Sequence, residues 1–572
     1  DIAKDREGPH QMPRITTLAC LLAFGLALTP GLPVAQTREV LTIGINQYPA
    51  NLNPSIGSML VASYVMGAAH RQITIDGPDW KPQCQTCTGL PTLENGLAET
   101  FPSTNRDGDP ATGVRKTYTL KNDLFWGDGT PVTTADVVFA WEVGKHPDSG
   151  VSTQTSYQDV LDIIVTDAKT FTIVDREIDF KYPSMGDFQI LPAHLERPIF
   201  EADPREYRNR TLYQTDTGNP GLYNGPYVVD SVEVGASLTL ERNPHWQGPK
   251  PAFDRIVVRA VENTSALEAS LLSGSIDMIA GEAGISIDQA IAFEQRNADD
   301  YQIIFKPGLI YEHMDVMLDN PILSDLRVRK ALLHAVDRQA ITDKLFSGKQ
   351  PVATTFVNPL DWVYTEDGVE RYAFDADKAV ALLEEAGWTP GSDGIRVNAA
   401  GDRLSLSLMT TAGNRSRELV QQVLADYWKR VGIETRIRNE PARVYFGETV
   451  SKRRFEGLAM FAWLSAPENV PRTTLHSESI PSDANNWSGQ NYPGYQNPAM
   501  DDLIEGIQRE LDPALRAPMW AELQRIYAAD LPVLPLYFRA DSYILPKWLS
   551  GLVPTGHKYA TTNWIETWRV AE

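Results

Sequence analysis

An α/β fold built in more than one lobe is what this sequence predicts, and three observations carry the prediction. The chain has 572 residues, more than a single core holds at about 150 residues per domain. From about residue 308 onward, strand-like and helix-like stretches alternate. Within that half, residues 404–409, 416–431 and 433–438 read as strand, helix and strand, a βαβ-like unit typical of an α/β lobe.

The elements follow in order. Met12, Arg14, an apolar run over 15–28 and Ala35 read as a secretory signal peptide with a short upstream extension, cleaved after Ala35 although Pro33 suits that site poorly. The run is too short to span a bilayer. Cys20 lies inside it rather than at its end, which argues against a lipid anchor. Residues 39–45 are rich in β-branched side chains and predict a buried strand. Residues 58–70 carry a helical apolar face, and 77–113 are rich in Pro, Gly and Asp and read mostly as loop. That loop holds Cys84 and Cys87. An oxidising compartment favours a small structural disulfide, worth about 2 kcal/mol on the chain-entropy account. No second pair completes a zinc site, and no following His completes a haem attachment.

Residues 116–120 predict a strand and 126–131 a turn. Thr133 and Asp136 then form a capping box for a helix over 135–145. Residues 226–261 alternate as strands about a turn at Gly235, and 264–272 form a short helix. A strand over 311–318 precedes one long helix through 325–346. A helix over 376–386 stops at Gly387, and helices over 498–508 and 513–529 lead into a strand over 533–538.

Composition excludes several classes. Hydrophobic residues make up 42% and charged residues 22%, the proportions of an ordinary globular protein rather than a disordered or coiled-coil one. Acidic residues outnumber basic ones by 74 to 52, for a net charge of −22, so nucleic-acid binding has no electrostatic support. The sequence has no Gly-x-Ser-x-Gly elbow, His-Glu-x-x-His, Walker loop or dinucleotide fingerprint. Its nine His are scattered. No catalytic residue, metal site or cofactor is therefore predicted. The aromatic residues say more. Loops around Trp463 and from Asn485 through Trp487 to Tyr495 mix rings with amides, a combination suited to stacking on a ligand and binding its polar groups.

Several segments resemble one family in order and spacing. They are Leu120-Lys-Asn-Asp-Leu-Phe-Trp-Gly-Asp-Gly-Thr-Pro-Val-Thr-Thr-Ala-Asp-Val-Val-Phe139, Asn224-Gly-Pro-Tyr227 with Arg242-Asn-Pro-His-Trp246 and Phe253-Asp-Arg-Ile256, Leu326 to Arg338, and Leu531 to Tyr537. Together they are similar to the large solute-binding proteins of ABC importers, the oligopeptide-, dipeptide- and nickel-binding family 5. The resemblance implies a two-lobed periplasmic-binding-protein-like fold with hinge strands and an extra inserted domain, the three-domain cluster C type. On that basis lobe I takes residues 36–80, 216–307 and 536–572, the insertion 81–215, and lobe II 308–535. Most signature residues read as scaffold, with Arg327, Arg329, Asp337 and Arg338 in structural ion pairs.

The resemblance also implies a periplasmic monomer that encloses an oligopeptide-like ligand by hinge closure and docks transiently on membrane permease subunits. The ligand-binding candidates are Trp463, Ala466, Glu468 and Asn469 on one wall, Asn485, Asn486, Trp487, Asn491 and Tyr492 at the mouth, and Tyr48 from lobe I. In the peptide binders, a Trp is followed three residues later by an Asp that pairs with the ligand's α-ammonium. Here that place holds Ala466. Either Glu468 replaces the Asp, or the ligand has no free amine there, as with an opine or a sugar conjugate. An exported peptide hydrolase or chaperone is the alternative of a different class.

Overall fold

The computed structural model describes residues 38–571, apart from Ser58, Asp107, Asp187 and Asn486. The signal-peptide reading and Cys20 lie outside the described residues. Ten strands share one sheet, in the order Glu434–Ile437, Ser405–Met409, Leu458–Trp463, Tyr301–Val316, Val533–Pro546, Met278–Ile279, Val40–Ile45, Arg255–Ala260, Ser237–Arg242 and Tyr227–Glu233. The two central strands have 16 and 14 residues and run antiparallel, with a register shift between Pro307 and Ile310. On one side of them lie three strands from residues 405–463, and on the other five from 40–45 and 227–279. Two lobes are thus joined by two long shared strands.

The apolar pattern predicts only 311–318 and 533–538 of these strands. The extensions were hidden because buried polar residues, Asp541 and Ser542 among them, interrupt the apolar pattern. The βαβ unit forms with parallel pairing from Ser405 opposite Glu434 to Leu408 opposite Ile437. Its helix, Arg415–Arg430, buries Val420, Leu424 and Trp428 on one face, at the four-residue spacing that stacks side chains along a helix. Asn414 caps it by accepting from the Arg417 amide.

A second sheet of four strands orders as Ala98–Thr104, Pro110–Thr119, Thr170–Asp175 and Val160–Val165. Part of it corrects the loop expected over 77–113. Ala98–Thr104 is an edge strand whose outward Glu and Thr residues conceal its pairing. Cys84 and Cys87 are joined in a disulfide. The Thr133–Asp136 capping box is present and opens the helix Thr134–Lys145. The single long helix expected through 346 is instead two, Leu326–His334 and Arg338–Phe346. Asp337 breaks the run by accepting from the Ala340 amide as an N-cap. Arg327 pairs with Asp325. Arg329 and Arg338, expected in ion pairs, instead donate to backbone carbonyls, Arg329 to those of Leu323, Ser324 and Asp530, and Arg338 to those of Ala353, Pro535 and Tyr372.

Candidate binding cleft

The site begins with the twofold alternation of a strand. Tyr311, His313 and Asp315 project from one face of Tyr301–Val316, and Glu312 and Met314 from the other. The neighbouring antiparallel strand sets Trp463 opposite Tyr311, Phe461 opposite His313 and Ala459 opposite Asp315. A ladder of rings results. Tyr311 stacks on His313 at 5.0 Å between centroids, His313 lies parallel to Trp463 at 6.1 Å, and Trp463 meets Tyr492 at 5.7 Å. A cleft of about 620 Å³ opens over this ladder, lined by Tyr311, Asp315, Trp463, Asn469, Gln490 and Tyr527 among others. A smaller void of about 250 Å³ shares Phe356, Ser465 and Asn469 with it and extends towards Asp361 and Trp520.

The two faces of the strand differ electrically. Behind it, Glu312 is held by Arg417 at 2.6 Å, with Arg539 at 3.7 Å. Burial opposes ionisation of Glu312, but the two guanidiniums outweigh it and lower its pKa. On the cleft face, burial raises the Asp315 pKa, and only His313 opposes it.

The expected residues separate into groups. Trp463 and Asn469 line the cleft, and Tyr492 packs against Trp463. Ala466 is buried, with 3% exposure, and lines neither void. Glu468 is engaged elsewhere. Its carboxylate accepts from Arg516 Nε at 2.6 Å and from Trp362 Nε1 at 3.2 Å, and its own amide donates to Asp361. Asn491 donates to the carbonyls of His476 and Tyr495 and accepts from the Tyr495 amide. Asn485 closes its own turn through the Ser482 amide and Ile480 carbonyl. Trp487 holds a left-handed φ of 59° in that loop and lines neither void. Asn486 lies outside the described residues. Tyr48 packs on the core of the other lobe and also lines neither void, since all the lining residues fall between 309 and 533. Asp315, Tyr311 and Gln490 were not among the candidates. An ionisable residue at every second place of an apolar strand, as in Tyr311-Glu312-His313-Met314-Asp315, is the signal that marks the first two.

Segments distant in sequence make hydrogen bonds near the cleft. Lys181 Nζ donates to the Pro467 carbonyl at 2.8 Å, the Phe180 amide to the Gln508 carbonyl at 2.9 Å, and the Lys558 amide to the Ser465 carbonyl at 2.9 Å. Burial lowers the Lys181 pKa.

Residues 92–480 match the family described as bacterial extracellular solute-binding proteins, family 5 Middle. The chain belongs to that family. Among its relatives, the oligopeptide-binding protein OppA of Bacillus subtilis is 23% identical over 536 residues, 91% of each chain. Protein XP55 of Streptomyces lividans is 28% identical over 444 residues, 77% of this chain and 74% of its own. The oligopeptide-binding protein of Thermus thermophilus, solved with a pentapeptide, superimposes with a TM-score of 0.83 at 28% identity, covering 92% of this chain and 96% of that one. The ring ladder thus lies on the first long shared strand and on its neighbour Leu458–Trp463.

Proposed function

We propose that the chain is the periplasmic solute-binding component of an ABC importer and carries an oligopeptide-like ligand. The observation that carries this reading is a cleft of about 620 Å³, floored by stacked rings and edged by amides, in a family 5 fold. The pentapeptide bound by the Thermus thermophilus neighbour supports the ligand class. The lobes would take residues 36–80, 216–307 and 536–572, and 308–535, with 81–215 inserted. They would hinge where Tyr301–Val316 and Val533–Pro546 pass between them. The protein would act as a monomer without a cofactor, return its ligand chemically unchanged, and dock transiently on permease subunits.

Native mass spectrometry of the purified protein, followed by denaturation and identification of what is released, tests the reading. A heterogeneous set of short peptides is expected. A single non-peptide mass, or turnover of added peptides, would overturn it.

A further inference from the structure

We propose that Asp315, beside His313, seats a primary ammonium group of the ligand against the ring ladder under Trp463. The inference deepens the peptide reading and rests on it only for where that ammonium comes from.

A buried carboxylate lies here without a hydrogen-bond donor. Both carboxylate oxygens of Asp315 and the Nε2 of His313 have no hydrogen-bond partner among the described residues. The side chains are 1% and 0% exposed, and Asp315 lines the cleft. His313 Nδ1 lies 3.1 Å from the Tyr311 carbonyl. A carbonyl can only accept, so Nδ1 carries a proton. Nε2 stands 3.2 Å from Asp315 Oδ1 without a hydrogen bond between them. A buried carboxylate whose two oxygens both lack a hydrogen bond is costly. A primary ammonium has three N–H donors and a positive charge, which answers both carboxylate oxygens.

Among the described residues, no Lys or Arg forms an ion pair with Asp315. Tyr311, Tyr445, Tyr492 and Tyr527 surround Asp315, and burial raises the pKa of each phenol, so they stay neutral. Arg417 and Arg539 lie with Glu312 on the opposite face of the strand. Glu468 is taken by Arg516, and Ala466 has no charge to offer. The faces of Tyr311, Trp463 and Tyr492 add cation–π attraction for the same group.

The test compares wild type with Asp315→Asn, which keeps the side chain's shape and removes a buried charge. Its ligand-free melting temperature should equal or exceed wild type, and Asp315→Ser replaces it if it does not fold. Two probes are not peptides. n-Butylammonium should raise the wild-type melting temperature and leave the variant's unchanged. Tetramethylammonium, with no N–H, should protect neither. A lysine-free pentapeptide pool with free amino termini should bind wild type at least about 30-fold tighter than its N-acetylated counterpart, the effect of truncating one partner of a buried charge pair. That ratio should fall to near one in the variant. Recovery of tight binding by an acetylated, lysine-bearing pool would assign the seat to the ε-ammonium instead of the α-ammonium. Protection by butylammonium of both proteins, or of neither, overturns the inference, as does an equal peptide ratio in both. If no pool binds wild type while butylammonium still discriminates, the peptide reading fails and the ammonium seat stands.

Discussion

Glu468 and Asp315 are both buried carboxylates near the cleft, and their partners give them opposite roles. Glu468 is locked to Arg516, and removing one partner of a buried ion pair typically costs roughly 3–5 kcal/mol. Glu468→Ala should therefore lower unfolding stability in urea by about that much, while calorimetric affinity for ligand at a temperature where the variant is folded stays within a factor of two. Trp463→Ala should do the reverse. It removes a ring from the cleft floor and should weaken binding by about 30-fold, the loss of roughly 2 kcal/mol common for an aromatic anchor, with the midpoint of unfolding little changed. Adjacency suggested Glu468 as the substitute for the carboxylate absent at Ala466. Its true partner is 48 residues away in sequence, and no local pattern shows that.

Among the elements, the two long shared strands decide how the halves relate. At the register shift, the chain passes Gly308 against Gly556, and the Leu309 amide donates to the Gly556 carbonyl at 2.8 Å. A Cβ at Gly308 would stand 2.8 Å from that carbonyl oxygen, closer than packed atoms tolerate. Gly308→Ala should destabilise the protein by about 1–3 kcal/mol through this overpacking, read as a lower denaturation midpoint with an unchanged slope. The short βαβ unit was fully legible, because its apolar spacing and its Asn414 cap lie in one stretch of chain. The extensions of the long strands were not, since Arg539, Asp541 and Ser542 interrupt their apolar pattern, and Asp541 and Ser542 are buried there.

For the whole molecule, the same polar residues tie stability to pH. Asp541 is 2% exposed, and neither of its oxygens has a hydrogen-bond partner among the described residues. Burial first, then nearby Glu282, push its pKa from 3.8 up to about 8, against the pull of Arg539. The folded state thus holds this proton more tightly than the unfolded chain does. The resulting contribution is fully present below about pH 4 and is lost as pH rises through about 8. Thermal melts of wild type and Asp541→Asn should coincide near pH 4 and separate progressively up to about pH 8, with the variant more stable. Parallel curves would show that Asp541 does not titrate in this way.

By itself the sequence determined the α/β class, the family, the capping box and the Cys84–Cys87 pairing. Each rests on residues a few positions apart or on an ordered series of motifs. It also put Trp463 and Asn469 among the binding candidates, and both line the cleft. Only the tertiary structure decided that Glu468 belongs to Arg516, that Asn491 holds its own loop together, and that Asp315 faces the cleft without a donor. The reason is physical. What a buried charge does depends on which distant group the fold brings within about 3 Å of it, and strand pairing and helix packing set that distance.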